Sequence, residues 1–180
     1  MSTGWRPIRE VTATATGFLT LPCRLLSRAN AAMTDAFPDW TYEEATIEKG
    51  HPTVTVDKSN HLVRYYDANG KQVMAAPAGT GLISGPKHED GDNRTPEGTF
   101  RLGKAENTEN KKGGTFSFGP AFFRIYHKND NGTYSGVGLH GTGVPFLNGG
   151  NISHGCIRTD NSFIDRMRKL GGASKIVIYE

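Results

Sequence analysis

From Thr53 onward the chain is divided into short stretches that suit a pleated surface, and this pattern constrains its fold more than any other feature. Thr53-Val54-Thr55-Val56-Asp57, Leu62-Val63-Arg64-Tyr65-Tyr66 and Lys71-Gln72-Val73-Met74-Ala75 are rich in residues that pack well on a sheet face. Asn69-Gly70 separates the last two stretches, and its tolerance of positive φ predicts a tight hairpin there. Further strands are expected at 99–102, 121–126 and 137–139, joined by glycine-rich or charged loops such as 106–114. The run Lys175-Ile176-Val177-Ile178-Tyr179 is continuously apolar at its centre and reads as a buried closing strand. One helix is predicted, with Asp160 or Asn161 as N-cap, Phe163, Ile164, Met167 and Leu170 along one face, and Gly171 as the stop. The expected fold is mainly β: a small mixed sandwich or barrel-like domain with one helix near its end.

A length of 180 residues suffices for a real core but is near the size of one domain. The expected organisation is an N-terminal segment over 1–45 and a single folded domain over 46–180. Leu25, Leu26, Ala29, Ala32 and Met33 could share one face of a short helix before Pro38. The basic start, followed by the mildly apolar 11–21, resembles a weak export signal, diluted by threonines and Glu10. No stretch reaches the roughly 20 apolar residues that an integral membrane segment needs. The formal net charge of +3 is spread over Lys and Arg interleaved with Asp and Glu, which gives no support to nucleic-acid binding.

The chemistry concentrates between Leu139 and Asn161, where two histidines and a cysteine stand among glycines. A thiolate is a good nucleophile, but an ordinary cysteine with a pKa near ~8.5 holds little of it at neutral pH. His140 is the natural base: an imidazole with a pKa of about 6.5 can take the thiol proton and later return it to a leaving amine. Glycines beside Cys156 and His140 allow close approach of backbone and substrate, and the N–H groups of Gly155 and Cys156 are candidate donors to a developing oxyanion. The other cysteine, Cys23, reads as a small hydrophobe, and Cys156 is expected to be unpaired. His51, His61, His88 and His127 read as surface or hairpin residues.

His140, twelve intervening residues and then Ser153-His154-Gly155-Cys156-Ile157-Arg158 resemble the signature of the L,D-transpeptidase catalytic domain, also called the YkuD family, in its shorter spacing. Gly91-Asp92-Asn93-Arg94-Thr95-Pro96-Glu97-Gly98 is similar to a second stretch of that family. The likeness runs from about Thr53 to Tyr179. It implies Cys156 as nucleophile, His140 as base, His154 as a polar neighbour that shapes the site, and the Gly141 carbonyl as the group that orients His140. Ser153 and Arg158 would bind substrate, Arg158 through a carboxylate; many relatives carry asparagine at that position, and the short-spaced branch also uses arginine.

The reaction implied is a two-step acyl transfer on peptidoglycan stem peptides. A thioester forms on Cys156 as D-alanine leaves, and an amine then accepts the acyl group, without metal or organic cofactor. Water as acceptor would make the same site a carboxypeptidase or endopeptidase. A catalytic Cys156 would be alkylated fast at neutral pH and acylated by carbapenem-type β-lactams, as in many members of the family. The substrate implies work in the cell envelope. A different class, a non-catalytic or zinc-stabilised wall-binding module, would need a fourth ligand beside His140, His154 and Cys156, recruited from Cys23, His127 or an aspartate.

Overall fold

The computed structural model describes Ile47 and residues 49–180; the expectations for 1–45, including Cys23, the short helix and the export signal, lie outside the described residues. Strand β1 (Thr53–Asp57) lies in the interior of an eight-stranded sheet. It pairs antiparallel with β2 (Leu62–Tyr66) and parallel with β10 (Lys175–Tyr179). Its alternating Thr/Val sequence suggests one wet face, yet all five residues are buried because neighbours flank both edges and side chains cover both faces. Between β2 and β3 (Gln72–Pro77) the predicted hairpin forms around Gly70, with φ +80° and its N–H donating to the Asp67 carbonyl at 3.0 Å. The Asp67 carboxylate adds a clasp by accepting from the N–H groups of Asn69 and Lys71.

The second half of the sheet grows from β5 (Gly98–Glu106), antiparallel to both β10 and β6 (Phe122–Ile125). A register shift between Leu102 and Ala105 bends this long strand, and the sheet curls into a half-barrel. Beyond β6 come β7 (Gly138–His140), antiparallel, and β9 (Ile157–Arg158), parallel to β7. A two-stranded sheet of β4 (Thr80–Gly81) and β8 (Asn151–Ser153) stands beside this edge.

The predicted helix is α2 (Asn161–Lys169), burying Phe163, Ile164 and Met167. Leu170, expected on the same face, is 48% exposed, because it caps the helix rather than continuing it and Gly171 and Gly172 turn away with positive φ. A short helix, α1 (Gly114–Phe118), follows Gly113 and opens on Gly114, both with positive φ, and was not foreseen; its Gly-Thr-Phe-Ser-Phe carries no helical period. The core gathers Val54, Val56, Phe123, Leu139, Ile157, Ile164, Met167, Ile176 and Ile178, so the strands that carry the site residues are anchored through their apolar neighbours. Among the described residues no helix is long and apolar enough to cross a membrane.

Candidate active site

His140 ends β7 with Phe122 as its register partner on β6. The two rings stack with centroids 5.6 Å apart and planes at 19°, while Phe118 from α1 meets the imidazole edge-on at 5.0 Å. The cradle leaves His140 only 2% exposed. Its Nδ1 lies 2.6 Å from the Gly141 carbonyl. A carbonyl can only accept, so Nδ1 carries the proton and Nε2 keeps a lone pair. Burial pushes the His140 pKa down from 6.5 to about 4; the nearby Arg158 acts in the same direction, and the Gly141 hydrogen bond opposes both. The resting imidazole is neutral at physiological pH.

The parallel pairing of Leu139 with Ile157 and His140 with Arg158 places His140 and Arg158 on one face of the sheet. Cys156, two residues before Arg158, projects to that face opposite Gly138. A side chain at Gly138 would meet the Phe122 ring at 2.2 Å, so the position must be glycine for the ring to lie there. His140, Ser153, His154, Cys156 and Arg158 all line one cavity of about 470 Å³. Cys156 carries a free thiol, half-buried and packed against the core. Burial pushes the thiol pKa up, opposed by a backbone hydrogen bond from Gly138 and by the charges of Arg158 and Lys87. Burial therefore favours the protonated thiol in the resting site.

The turn before Cys156 is held from within. Ser153 is buried; its Oγ donates to the Cys156 carbonyl and accepts from the Gly155 N–H at 3.1 Å. The Gly155 N–H, expected to face an oxyanion, is thus directed at Ser153, and Ser153 spends its hydroxyl on the turn rather than on substrate. Gly155 has φ +122°, and an added Cβ would lie 2.7 Å from the Arg94 carbonyl. Its own carbonyl accepts from Thr95 Oγ1 at 3.0 Å, and the same hydroxyl accepts from the Gly81 N–H at 2.8 Å. The 91–98 stretch therefore contributes a clamp, through a threonine that the sequence pattern did not single out. Asp92 shapes the same loop: burial alone would raise its carboxyl, but bonds from Lys87 and from the N–H groups of His88, Arg94 and Glu89 hold it well below the usual carboxylate range.

His154 is exposed at the cavity, and Arg158 is fixed through its backbone, which exchanges hydrogen bonds with Gly79 at 2.7 and 2.8 Å. The Nε of Arg158 is buried with no hydrogen-bond partner. Lys87 and Lys112 also line the cavity, against Asp90 as its acidic residue, so the wall is net positive. Phe118, Phe122, Lys87 and Lys112 were not legible as site residues, since only pairing and loop packing bring them there. Among the described residues no three His, Cys, Asp or Glu side chains are gathered so as to hold a metal ion.

Residues 51–176 match the YkuD family, described as the L,D-transpeptidase catalytic domain. No curated protein matches the chain. Among solved structures, the helical cell shape determining protein Pgp2 from Campylobacter jejuni is similar at 23% identity and a TM-score of 0.60, over 74% of this chain and 49% of that one. An L,D-transpeptidase (residues 123–326) from Xylanimonas cellulosilytica is similar at 16% identity and 0.54, over 84% and 69%. A third, the L,D-transpeptidase from Mycobacterium smegmatis, is similar at 19% identity and 0.51, over 72% and 58%. The chain spans about half the length of the Pgp2 structure. At these identities the structures establish the fold, and the sequence match over most of the chain establishes the relationship: the chain belongs to the YkuD family of L,D-transpeptidase catalytic domains.

Proposed function

We propose that this protein is a cysteine acyltransferase acting on peptidoglycan stem peptides in the cell envelope, with residues 46–180 as its catalytic domain. The observation that carries the reading is the His140 tautomer: Nδ1–H is committed to Gly141, which leaves the Nε2 lone pair available in the cavity that Cys156 also lines. His140 Nε2 takes the thiol proton as sulfur attacks the carbonyl of the third stem residue. The C–N bond breaks, the imidazolium returns its proton to the departing D-alanine amine, and a thioester stays on Cys156. An acceptor amine then attacks, giving its proton to His140 and restoring the thiol. With the Gly155 N–H engaged by Ser153, the Cys156 N–H is the donor assigned to the oxyanion. The neutral resting pair implies that the ion pair forms along the reaction path rather than beforehand.

The net-positive wall suits a stem peptide bearing free carboxylates, and Arg158, whose Nε lacks a protein partner, is the residue assigned to bind one. His154 borders the cavity beside the nucleophile and shapes the approach of the substrate. The test is mass spectrometry of purified wall fragments incubated with the protein. Cross-linked dimers are expected for amine transfer; trimmed monomers alone would mark water as the acceptor, and unchanged fragments would overturn the enzymatic reading.

A further inference from the structure

The hydrogen bond that orients His140 is itself held by a second one, across a single peptide group. The Gly141–Thr142 peptide presents its carbonyl to His140 Nδ1 at 2.6 Å, and its N–H donates to Asn161 Oδ1 at 2.9 Å. A peptide is planar, with its C=O and N–H pointing in opposite directions, so anchoring one end aims the other. An N–H can only donate, which also settles that the side-chain oxygen of Asn161, not its NH₂, faces this peptide. Accepting the N–H further polarises the peptide and strengthens its carbonyl as the acceptor for the imidazole.

The packing leaves no slack in this arrangement. A Cβ at Gly141 would lie 2.1 Å from Asn161 Oδ1, and one at Gly119 would lie 2.3 Å from it and 2.5 Å from the Gly141 Cα. Gly119 is tethered in turn, its carbonyl accepting from buried Thr108 Oγ1 at 2.6 Å, and it directly follows Phe118, whose ring meets His140. Asn161 is the first residue of α2, whose buried Phe163, Ile164 and Met167 fix it to the core. The amide oxygen is thus referenced to a helix anchored in the core, while Asn161 itself is exposed overall.

We propose that Asn161 is a positioning residue for the His140 base, acting through the Gly141–Thr142 peptide plane. This rests on the reading of His140 as the base. The arrangement is a three-part relay in which a peptide group stands between the imidazole and the asparagine. The oxygen selects the tautomer with Nδ1 protonated and leaves the Nε2 lone pair free beside the cavity that Cys156 also lines.

The test compares the full-length wild type with Asn161→Ala and Asn161→Asp. Imidazole nitrogen-15 spectra, with the His140 signals identified by their loss in His140→Gln, are read beside the pH profile of thioester formation. Asn161→Ala is expected to show mixed His140 tautomers and a kcat lower by about tenfold or more, with KM within about twofold. Asn161→Asp keeps the acceptor and suits a helix N-terminus. It is expected to keep the Nδ1–H tautomer, restore most of kcat and move the acid limb to higher pH, because a carboxylate favours the imidazolium.

A single Nδ1–H tautomer or a wild-type kcat in Asn161→Ala overturns the proposal. So does a rate loss that the aspartate variant neither rescues nor accompanies with a shifted limb, since that is the mark of a merely structural contact. A failure of the functional reading looks different: no variant, wild type included, forms a thioester, while the spectra still report whether Asn161 holds the ring.

Discussion

Strands β1 and β10 pair over five positions, from Thr53 with Lys175 to Asp57 with Tyr179, whereas β7 and β9 pair over two, Leu139 with Ile157 and His140 with Arg158. The long pair is held by its side chains: Val54, Val56, Ile176 and Ile178 are all at most 1% exposed. The short pair has too little ladder to hold itself, and the chain beyond it is fixed by side-chain oxygens on backbone groups, from Thr95, Ser153, Thr159 and Asn161. A hydrocarbon core resists unfolding but tolerates small shifts; a directed hydrogen bond contributes only about 1 kcal/mol net yet fixes an atom in a stated direction. The stable end and the chemically exacting end of this sheet are therefore built from different interactions, and single substitutions should separate them.

The largest effect is expected at the site alone. Cys156→Ala should abolish thioester formation, lower wall processing by at least on the order of 10³-fold and leave the urea midpoint close to wild type, because a partly exposed sulfur is lost without a large cavity. Retained wall processing in this variant would place the chemistry elsewhere. The mirror image is Ile176→Ala in the long pair, expected to cost ~2–5 kcal/mol in urea denaturation while kcat per folded molecule stays unchanged at low temperature. A parallel fall in kcat would show that the two ends are not separable.

The third contrast is pH-dependent. The folded state holds His140 neutral down to about 4, against 6.5 for an ordinary histidine, so the unfolded chain takes up its proton first as pH falls. Stability from this group is full above about 6.5 and is lost progressively down to about 4, by ~3 kcal/mol in all. His140→Gln should remove this part of the acid sensitivity, measured as the wild-type minus variant difference across that window; identical slopes would mean that the ring titrates normally. The smallest effect is expected from Thr95→Val, which keeps the shape but leaves the Gly81 N–H and the Gly155 carbonyl without their shared partner. A loss of ~1–3 kcal/mol in urea denaturation and slower acylation by a carbapenem-type β-lactam are expected. Wild-type acylation would show that the turn before Cys156 does not need the clamp.

What could be read from the chain follows the same division. The Asn69-Gly70 hairpin, the closing strand and the apolar face of α2 were legible because each depends on neighbours within a few residues. The burial of Thr53 and Thr55 was not, because it depends on β10 arriving from more than a hundred residues away. Leu170 was misplaced for a local reason, since a period of 3.6 shows a face but not the residue at which the helix stops. Phe118 and Phe122 gave no signal as site residues: their link to His140 exists only through the β6–β7 register and the turn after α1. Asn161 stood out only as a helix cap, and its oxygen acts instead on a peptide nineteen positions away.

The amino-acid sequence by itself determined which reactive groups this protein has and that they lie close along the chain, because a thiol and an imidazole are covalent properties of Cys156 and His140. Where the protons rest was decided by the tertiary structure alone. Tautomer and ionisation depend on desolvation and on hydrogen bonds a few ångströms long, and the partners that supply them, Gly141, Phe122 and Asn161 for the imidazole and Gly138 for the sulfur, come together only when the curled sheet closes around them.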